Sequence, residues 1–350
     1  MTLQLLYCGV DTLEATFVGT LTEGVTDRLD TAKDEAQLND TPVPFELAGD
    51  TFYVLRRGQG NYAWVLADER MLVRVSRSKK GLPPVSVKLR AAALATYGHE
   101  ALYAEACRVV AGLGEIVPNT LSRMDLACDV QGLDFTHRDF RNLVCAAGYR
   151  ATHEDGEGMT YQLGKGDAVM RIYRKDAELR AKDKLSYARV WERVPGYDAS
   201  APVWRIEIQL RGSILKELGA RAVAVAFTKL GKLFAFGMGW CELRVPSDDL
   251  TKKRWSVDPR WTTISGFWGA SSPEPRVRTA SVMEREQKIV ARLIGACASL
   301  GAYSGQSDLL GVLIYALPTM EAHLKDRDLD FGKLQADKVA RIASEEGLGF

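Results

Sequence analysis

The sequence predicts a mixed α/β (α+β) protein: two sheet-containing halves followed by a helical C-terminal region. Three observations predict it. Several short runs between 51 and 90 alternate apolar and polar residues, the pattern of half-buried strands. From 121 to 211 strand-like and helix-like runs succeed one another as β-α-β-β-α-β, the split βαβ unit. From 279 onward the apolar spacing is helical. The chain has 350 residues, 46% apolar and 26% charged. That is the ordinary globular mix and leaves ample material for a core of roughly two domains.

The elements follow in order. Thr51 to Arg57 alternates and turns at Arg57-Gly58-Gln59-Gly60; Asn61 to Ala67 and Met71 to Val75 follow, joined tightly by Ala67-Asp68-Glu69-Arg70. Ser76 to Pro84 is basic and carries Pro and Gly, so it reads as an exposed loop. Val85 to Arg90 is a further strand, and His99 to Ala111 has helical spacing that stops at Gly112. Leu121 to Gln131 alternates as a strand. Thr136 caps a helix with Asp139 three residues on, and Gly148 ends it. Met159 to Leu163 and Ala168 to Arg174 are strands joined by the turn Gly164-Lys165-Gly166-Asp167. Lys175 to Ser186 reads as a charged helix, Val203 to Arg211 as a strand and Ser213 to Gly231 as largely helical. In the usual wiring of this unit the first strand is central, between the third and the fourth. A Pro-bearing stretch with Trp255, Trp261 and Trp268 precedes the helical runs Val282 to Leu300, Ser307 to Leu324 and Phe331 to Glu346. The predicted divisions are 1–115, 116–245, a Trp/Pro-rich connector 246–280, and a helical domain 281–350.

Composition excludes several function classes. Lys+Arg is 46 and Asp+Glu 45, a net charge of +1, so a uniformly basic coat is excluded and a local basic patch is not. The cysteines Cys8, Cys107, Cys128, Cys145, Cys241 and Cys297 form no CxxC pair. Reduced thiols in a cytoplasmic protein are expected rather than a disulfide framework or zinc site. His99, His137, His153 and His323 show no metal-ligand spacing. The N-terminus has no signal-peptide pattern. The longest apolar stretch, 218–240, is broken by charge and glycine, so no membrane span is expected.

Side chains alternate across a strand. Met124, Leu126, Cys128 and Val130 therefore share one face, and Arg123, Asp125 and Asp129 the other. Likewise Arg171, Tyr173 and Lys175, and Arg205, Glu207, Gln209 and Arg211, share the polar faces of their strands. If helices cover the apolar face, the open face carries three carboxylates, several arginines, a tyrosine and a lysine. Carboxylate oxygens select hard cations such as Mg²⁺ or Mn²⁺. Arginines clamp phosphate, and tyrosine can act as a covalent nucleophile. Phosphodiester cleavage needs charge neutralisation, positioning and an attacking oxygen together. Asp125 and Asp129 stand roughly 13 Å apart along a strand, too far to ligate one ion together. The expected ligands are Asp125 and Glu207 across strands, with Asp129 a further ligand or a group behind them. The bland alternative is an open sheet with a solvated polar face and ordinary cross-strand ion pairs.

These residues also carry a resemblance. Ser122-Arg123-Met124-Asp125-Leu126-Ala127-Cys128-Asp129 resembles the S-R-x-D-L-A-x-D strand of the Rep_trans replication-initiation family. Tyr161-Gln162-Leu163-Gly164 followed by Arg171-Ile172-Tyr173-Arg174-Lys175 resembles that family's Y-x-x-G and R-x-Y-x-K hairpin. Trp204 to Gly212 is similar to its R-x-E-x-Q-L-R strand. The match covers about 120–215. The family comprises rolling-circle plasmid and filamentous-phage initiators and some conjugative-element relaxases. The resemblance implies that 116–245 is a catalytic half and that Tyr173 attacks a phosphodiester, keeping a 5′-phosphotyrosine and releasing a 3′-OH. It further implies that Asp125, Glu207 and Asp129 hold Mg²⁺ or Mn²⁺. Lys175 would lower the phenol pKa or stabilise the pentavalent phosphate, and Arg123, Arg171, Arg205 and Arg211 would position phosphates. The implied partners are a single-stranded or hairpin DNA origin, a host helicase and a polymerase, with a homodimer allowed, in a prokaryotic cytoplasm. Two positions depart from the pattern: Val130 follows Asp129 where some relatives carry a second acid, and the linker 164–167 lacks Arg and Ser. No His-hydrophobe-His motif is present. The rival readings are a conjugative relaxase of the same chemistry, a non-enzymatic origin-binding protein and a water-using nuclease.

The stretch 171–193 holds eight Lys/Arg against four acids, suited to DNA backbone contact or to a solvated helix of i,i+4 pairs. Arg77-Ser78-Lys79-Lys80 and Lys252-Lys253-Arg254-Trp255 are further candidates, the latter pairing charge with an aromatic. The tryptophans read as core anchors before base-stacking platforms. The C-terminal helices are expected to serve self-association or partner binding.

Overall fold

The computed structural model describes residues 3–77, 81–155, 158–182, 185–269, 272–274 and 282–346. Strand β1 (Gln4–Leu21) leads into helix α1 (Val25–Leu38) and the strands β2 (Val43–Leu47), β3 (Asp50–Val54), β4 (Trp64–Ala67), β5 (Met71–Val75) and β6 (Val85–Leu89). Helices α2 (Ala91–Tyr97) and α3 (His99–Ala111) precede the long strand β7 (Gly114–Gln131). Then come α4 (His137–Asn142), β8 (Leu143–Cys145), β9 (Arg150–Asp155), β10 (Gly158–Leu163), β11 (Ala168–Arg174), α5 (Lys175–Ala181), α6 (Arg189–Glu192) and β12 (Trp204–Arg211). Helices α7 (Gly212–Glu217), α8 (Val223–Thr228) and α9 (Leu230–Trp240), strand β13 (Cys241–Leu243) and helix α10 (Pro259–Gly266) follow. Helices α11 (Val282–Ser304), α12 (Leu309–Asp326) and α13 (Phe331–Glu346) end the chain.

Among the described residues the strands form one eleven-stranded sheet in the order β2-β3-β4-β5-β6-β1-β7-β12-β11-β10-β9, antiparallel at every pairing, and a small β13-β8 ladder. The mixed fold class is as expected. The division at 115/116 falls inside β7, and the sheet runs unbroken through both halves; the chain parts instead into Met1–Val277 and Arg278–Phe350.

Two features depart from the sequence expectation. Strand β1 has no clear signature in the residues, because the extra residues Leu6 and Asp11 break its period-two phase; the two later register shifts put their extra residues, Ser122 and Asn119, in β7. Gly19 also breaks the pattern: at φ +137, a Cβ there would lie 1.9 Å from the Glu115 carbonyl oxygen. The strand wiring differs too: β7 lies between β1 and β12, and β11 pairs with β12 rather than with β7. The excursion 175–203 explains this. The Lys175 amide donates to the Val203 carbonyl at 2.8 Å, so the excursion closes on itself and returns the chain antiparallel beside β11 instead of crossing over the sheet. The predicted helix 175–186 accordingly stops at Ala181.

Helix α4 starts where expected, with the Thr136 hydroxyl accepting from the Asp139 amide and the Asp139 carboxylate accepting from the Thr136 amide. It ends at Asn142, earlier than Gly148, because β8 begins there to pair with β13. Cys145 and Cys241 stand opposite each other on that ladder as a disulfide. The expectation of unpaired thiols is corrected: residues 96 apart in sequence meet only through folding.

One face of strands β7, β12, β11 and β10 is apolar and packs on the segment 214–268. Gly237 of α9 lies so close that a Cβ would sit 2.4 Å from Ile208 Cδ1. Trp261 is buried and donates to the Met238 carbonyl, and Trp268 stacks on Phe234; Trp255 donates to the Asp249 carbonyl. All three anchor structure. Over one end of the polar face, the excursion 175–203 packs Leu179, Tyr187, Trp191 and Val203 against Leu6, so that face is open only in part.

Candidate active site

Register orders the polar face into rows. Tyr7, Asp129, Arg205, Tyr173, Thr160 and His153 stand opposite one another across β1, β7, β12, β11, β10 and β9. The next row holds Ala127, Glu207, Arg171 and Gln162, and the next Thr12, Asp125 and Gln209. Alternation puts Asp125, Asp129, Arg171, Tyr173, Arg205 and Glu207 on one face, and the ladder keeps them there.

The Tyr173 hydroxyl donates to Glu207 Oε2 at 3.0 Å, and Arg171 Nη1 donates to Glu207 Oε1 at 2.8 Å. All three line a cleft of ≈ 300 Å³ with His153, Thr160, Glu178 and Lys182. Burial, reinforced by the Glu207 charge, pushes the Tyr173 phenol well above its ordinary pKa, against a lowering pull from Arg205. Tyr173 is therefore a neutral phenol at physiological pH, hydrogen-bonded to a carboxylate that can take its proton.

Asp125 is 1% exposed and is gripped by the Arg123 guanidinium, whose Nε lies 2.8 Å from Oδ1. Burial, opposed by Arg123 and aided by the nearby Glu207 charge, pushes its carboxyl up to about 7.

Asp129 and Arg205 occupy a different environment from the one expected. Both side chains are wholly buried. Arg205 donates to Asp129 through Nε at 2.5 Å and Nη2 at 2.7 Å, to Asp11, and to the Tyr187 hydroxyl at 2.6 Å. Trp191 Nε1 donates to Asp129 Oδ2 at 2.9 Å. Asp129 thus spends its oxygens on Arg205 and Trp191, and Arg205 has no surface toward a phosphate. Asp129, expected as a further metal ligand or a group behind the ligands, and Arg205, expected to position phosphate, instead face each other inside the fold. Strand alternation does not single out Asp11, Tyr187 or Trp191. Asp11 sits at a β1 bulge, and the two aromatics come from the excursion.

Lys175 lies beside Tyr173. It is 7% exposed, donates to Glu178 Oε2 at 2.6 Å, and lays its ammonium over the rings of Tyr173 and Tyr187 at 5.6 and 5.3 Å. Burial alone would raise the Glu178 carboxyl, but Lys175 and Lys182 hold it down at about 2. Arg211 is exposed at the strand end, opposite Arg123. Of the basic runs, Arg77 pairs with Asp30 at 2.7 Å and lies over Trp64, and Lys252 lies over Trp255. Ser78, Lys79, Lys80, Asp183 and Lys184 lie outside the described residues.

Among the described residues no group of three or more His, Cys, Asp or Glu side chains is placed to hold a metal ion. The donor set that remains is Asp125 and Glu207. Both are carboxylates, each neutralised by an arginine. Mg²⁺ commonly takes one or two protein carboxylates and fills its other positions with water and phosphate, so this pair fits such an ion if the arginines give way.

No family model matches the chain, and no curated protein matches it. The chain is similar to the solved structure of a rolling circle replication initiator protein from Geobacillus stearothermophilus, with 16% identity, a TM-score of 0.47, and coverage of 79% of this chain and 100% of that one. No helix among the described residues is long and apolar enough to cross a membrane.

Proposed function

We propose that this chain nicks and rejoins DNA through Tyr173 and so initiates rolling-circle replication. The observation that carries the reading is the Tyr173 hydroxyl held at 3.0 Å from Glu207 in a cleft lined by cationic side chains. Tyr173 Oη attacks phosphorus and its proton passes to Glu207. The P–O3′ bond breaks, and the 3′ oxygen leaves as a hydroxyl after taking a proton. The phosphodiester energy stays in the 5′-phosphotyrosine, so a later 3′-OH reverses the step and closes the strand.

Asp125 and Glu207 would hold Mg²⁺ or Mn²⁺, which would neutralise charge on the phosphate and favour the phenolate. Arg171 and Arg123, paired with those carboxylates, are the cations available to phosphate oxygens. The Asp129–Arg205 pair serves as scaffold behind Tyr173. Lys175 acts through position: its ammonium over the Tyr173 ring limits the ring's motion and offsets negative charge as it develops. A conjugative relaxase would use the same groups. One observation favours a non-cleaving origin-binding protein: both carboxylates of the candidate ligand pair are already matched by arginines.

An adduct assay separates these readings. The protein is mixed with labelled single-stranded DNA from its own locus and Mn²⁺ or Mg²⁺, then run on a denaturing gel beside Tyr173→Phe. The expected result is a DNA-linked protein band that the variant lacks. Cleavage without a band points to water as the nucleophile, and binding without cleavage to an origin-binding protein.

A further inference from the structure

The polar face continues past the cleft into the N-terminal strands. One row beyond Asp125, Arg211 of β12, Arg123 of β7, Glu14 of β1 and Lys88 of β6 stand opposite one another in register. Arg74 of β5 lies one row further on. Glu14 alone answers three of these cations, at 2.8 Å from Arg74, 3.7 Å from Lys88 and 4.0 Å from Arg123. Asp125 also holds Arg123, so the four cations Arg211, Arg123, Lys88 and Arg74 face two carboxylates and the row carries an excess.

Two further details point to an anion. Arg211 and Arg123 are directly opposite; Asp125 answers Arg123, and the exposed Arg211 faces a like charge across the ladder, which is unfavourable unless something negative lies over it. Arg74 Nε is buried with no hydrogen-bond partner among the described residues while its Nη2 donates to Glu14 at 2.8 Å, so the guanidinium is charge-paired but keeps one donor unmet. The Arg74 guanidinium also lies 5.9 Å from the centre of the half-buried Tyr62 ring. Cations followed by an aromatic are the combination that binds single strands, charge to phosphate and ring to base.

We propose that this row is a track for single-stranded DNA. It takes the phosphates flanking the bond cut at Tyr173, in the order Arg211 and Arg123, then Lys88, then Arg74, with a base against Tyr62. The inference rests on reading the cleft as a DNA-nicking site and adds where the uncut part of the strand runs. The dimensions suit it. Glu207 to Arg211 spans roughly 13 Å along the strand, and β12 to β5 is four strand steps, roughly 19 Å. That is room for several nucleotides of extended backbone.

The test measures binding without cleavage, in the full chain carrying Tyr173→Phe. The probe is a fluorescent oligothymidylate of about fifteen nucleotides, within the span of single-strand sites, titrated by anisotropy at several salt concentrations. Lys88→Gln with Arg211→Gln should weaken binding about tenfold and reduce the salt slope by about 1.4, near 0.7 for each phosphate no longer neutralised. Tyr62→Ala should weaken binding with the slope unchanged. Arg56→Gln, on an exposed residue paired with Asp40, should change neither. If the double variant keeps the parent affinity and slope, the track is wrong while the nicking site stands. If the parent itself does not bind the probe, the track is wrong, while the reading of the cleft stands or falls by the adduct assay.

Discussion

At Asp129 and Arg205 the same strand pattern that predicted a reactive face produced a buried ion pair. Two side chains with no exposure are tolerable only because every strong hydrogen-bonding direction is met, by each other and by Asp11, Tyr187 and Trp191. Removing one charge strands the other. Asp129→Asn is therefore expected to destabilise the fold by about 3–5 kcal/mol, read as a lower urea midpoint, and to leave the metal-ion dependence of the remaining folded protein unchanged. A variant of full stability that needs much more Mn²⁺ would return Asp129 to the ligand set. Tyr173 and Glu207 differ because they reach the cleft. For the proposed chemistry the rise in the Tyr173 pKa has a consequence: the phenol would attack only where a proton acceptor and positive charge are both at hand.

The deciding element is the excursion from α5 to β12. Lys175 enters it almost buried and is neutralised by Glu178, which also holds Lys182. Because the Glu178 carboxyl is held down at about 2, below an unfolded value near 4.3, its stabilising contribution is present above about pH 4.5. It is lost as pH falls through about 2. Glu178→Gln should therefore lower the thermal midpoint at pH 7, with a cost of about 1–3 kcal/mol for the stranded ammonium. The gap to wild type should close between about pH 4.5 and 2. A gap that stays constant over that range would show that Lys175 does not depend on the Glu178 charge. The same variant should slow adduct formation, because Lys175 would no longer be pinned over the Tyr173 ring.

Across the whole molecule, an unbroken sheet joins β2 to β9, and the chain divides into the units Met1–Val277 and Arg278–Phe350. The sheet-bearing unit holds all the groups proposed for nicking and for the DNA track. The other unit buries Val312 and Ala316 of α12 but leaves Ile289, Leu293, Leu310 and Ile314 exposed. Helices apolar on more than one face need further cover. A chain ending at residue 277 is expected to unfold cooperatively and to form the Tyr173 adduct. Sedimentation should show it as a monomer and the full chain as a self-associated species. Equal sedimentation behaviour for the two chains would remove self-association from the role of the helices.

The α+β class, the hairpin of β10 and β11, the start of α4 and the shared face of Arg123, Asp125, Arg171, Tyr173 and Glu207 were all legible in the residues. Each depends on period-two alternation or on a turn or cap spanning a few positions, which are properties of local chain geometry. The position of β1, the place of β12 between β7 and β11, and the Cys145–Cys241 pair were not. Bulges hid the first, the closed excursion from 175 to 203 reversed the expected wiring, and the cysteines are 96 residues apart. Above all, alternation assigns a side chain to a face but not to solvent. Whether a charge on that face stays exposed, as at Arg211, or is sealed against another charge, as at Arg205, depends on what packs above it. Here that cover is Tyr187 and Trp191 of the excursion that precedes β12, and its effect on burial sets which polar groups remain free to do chemistry.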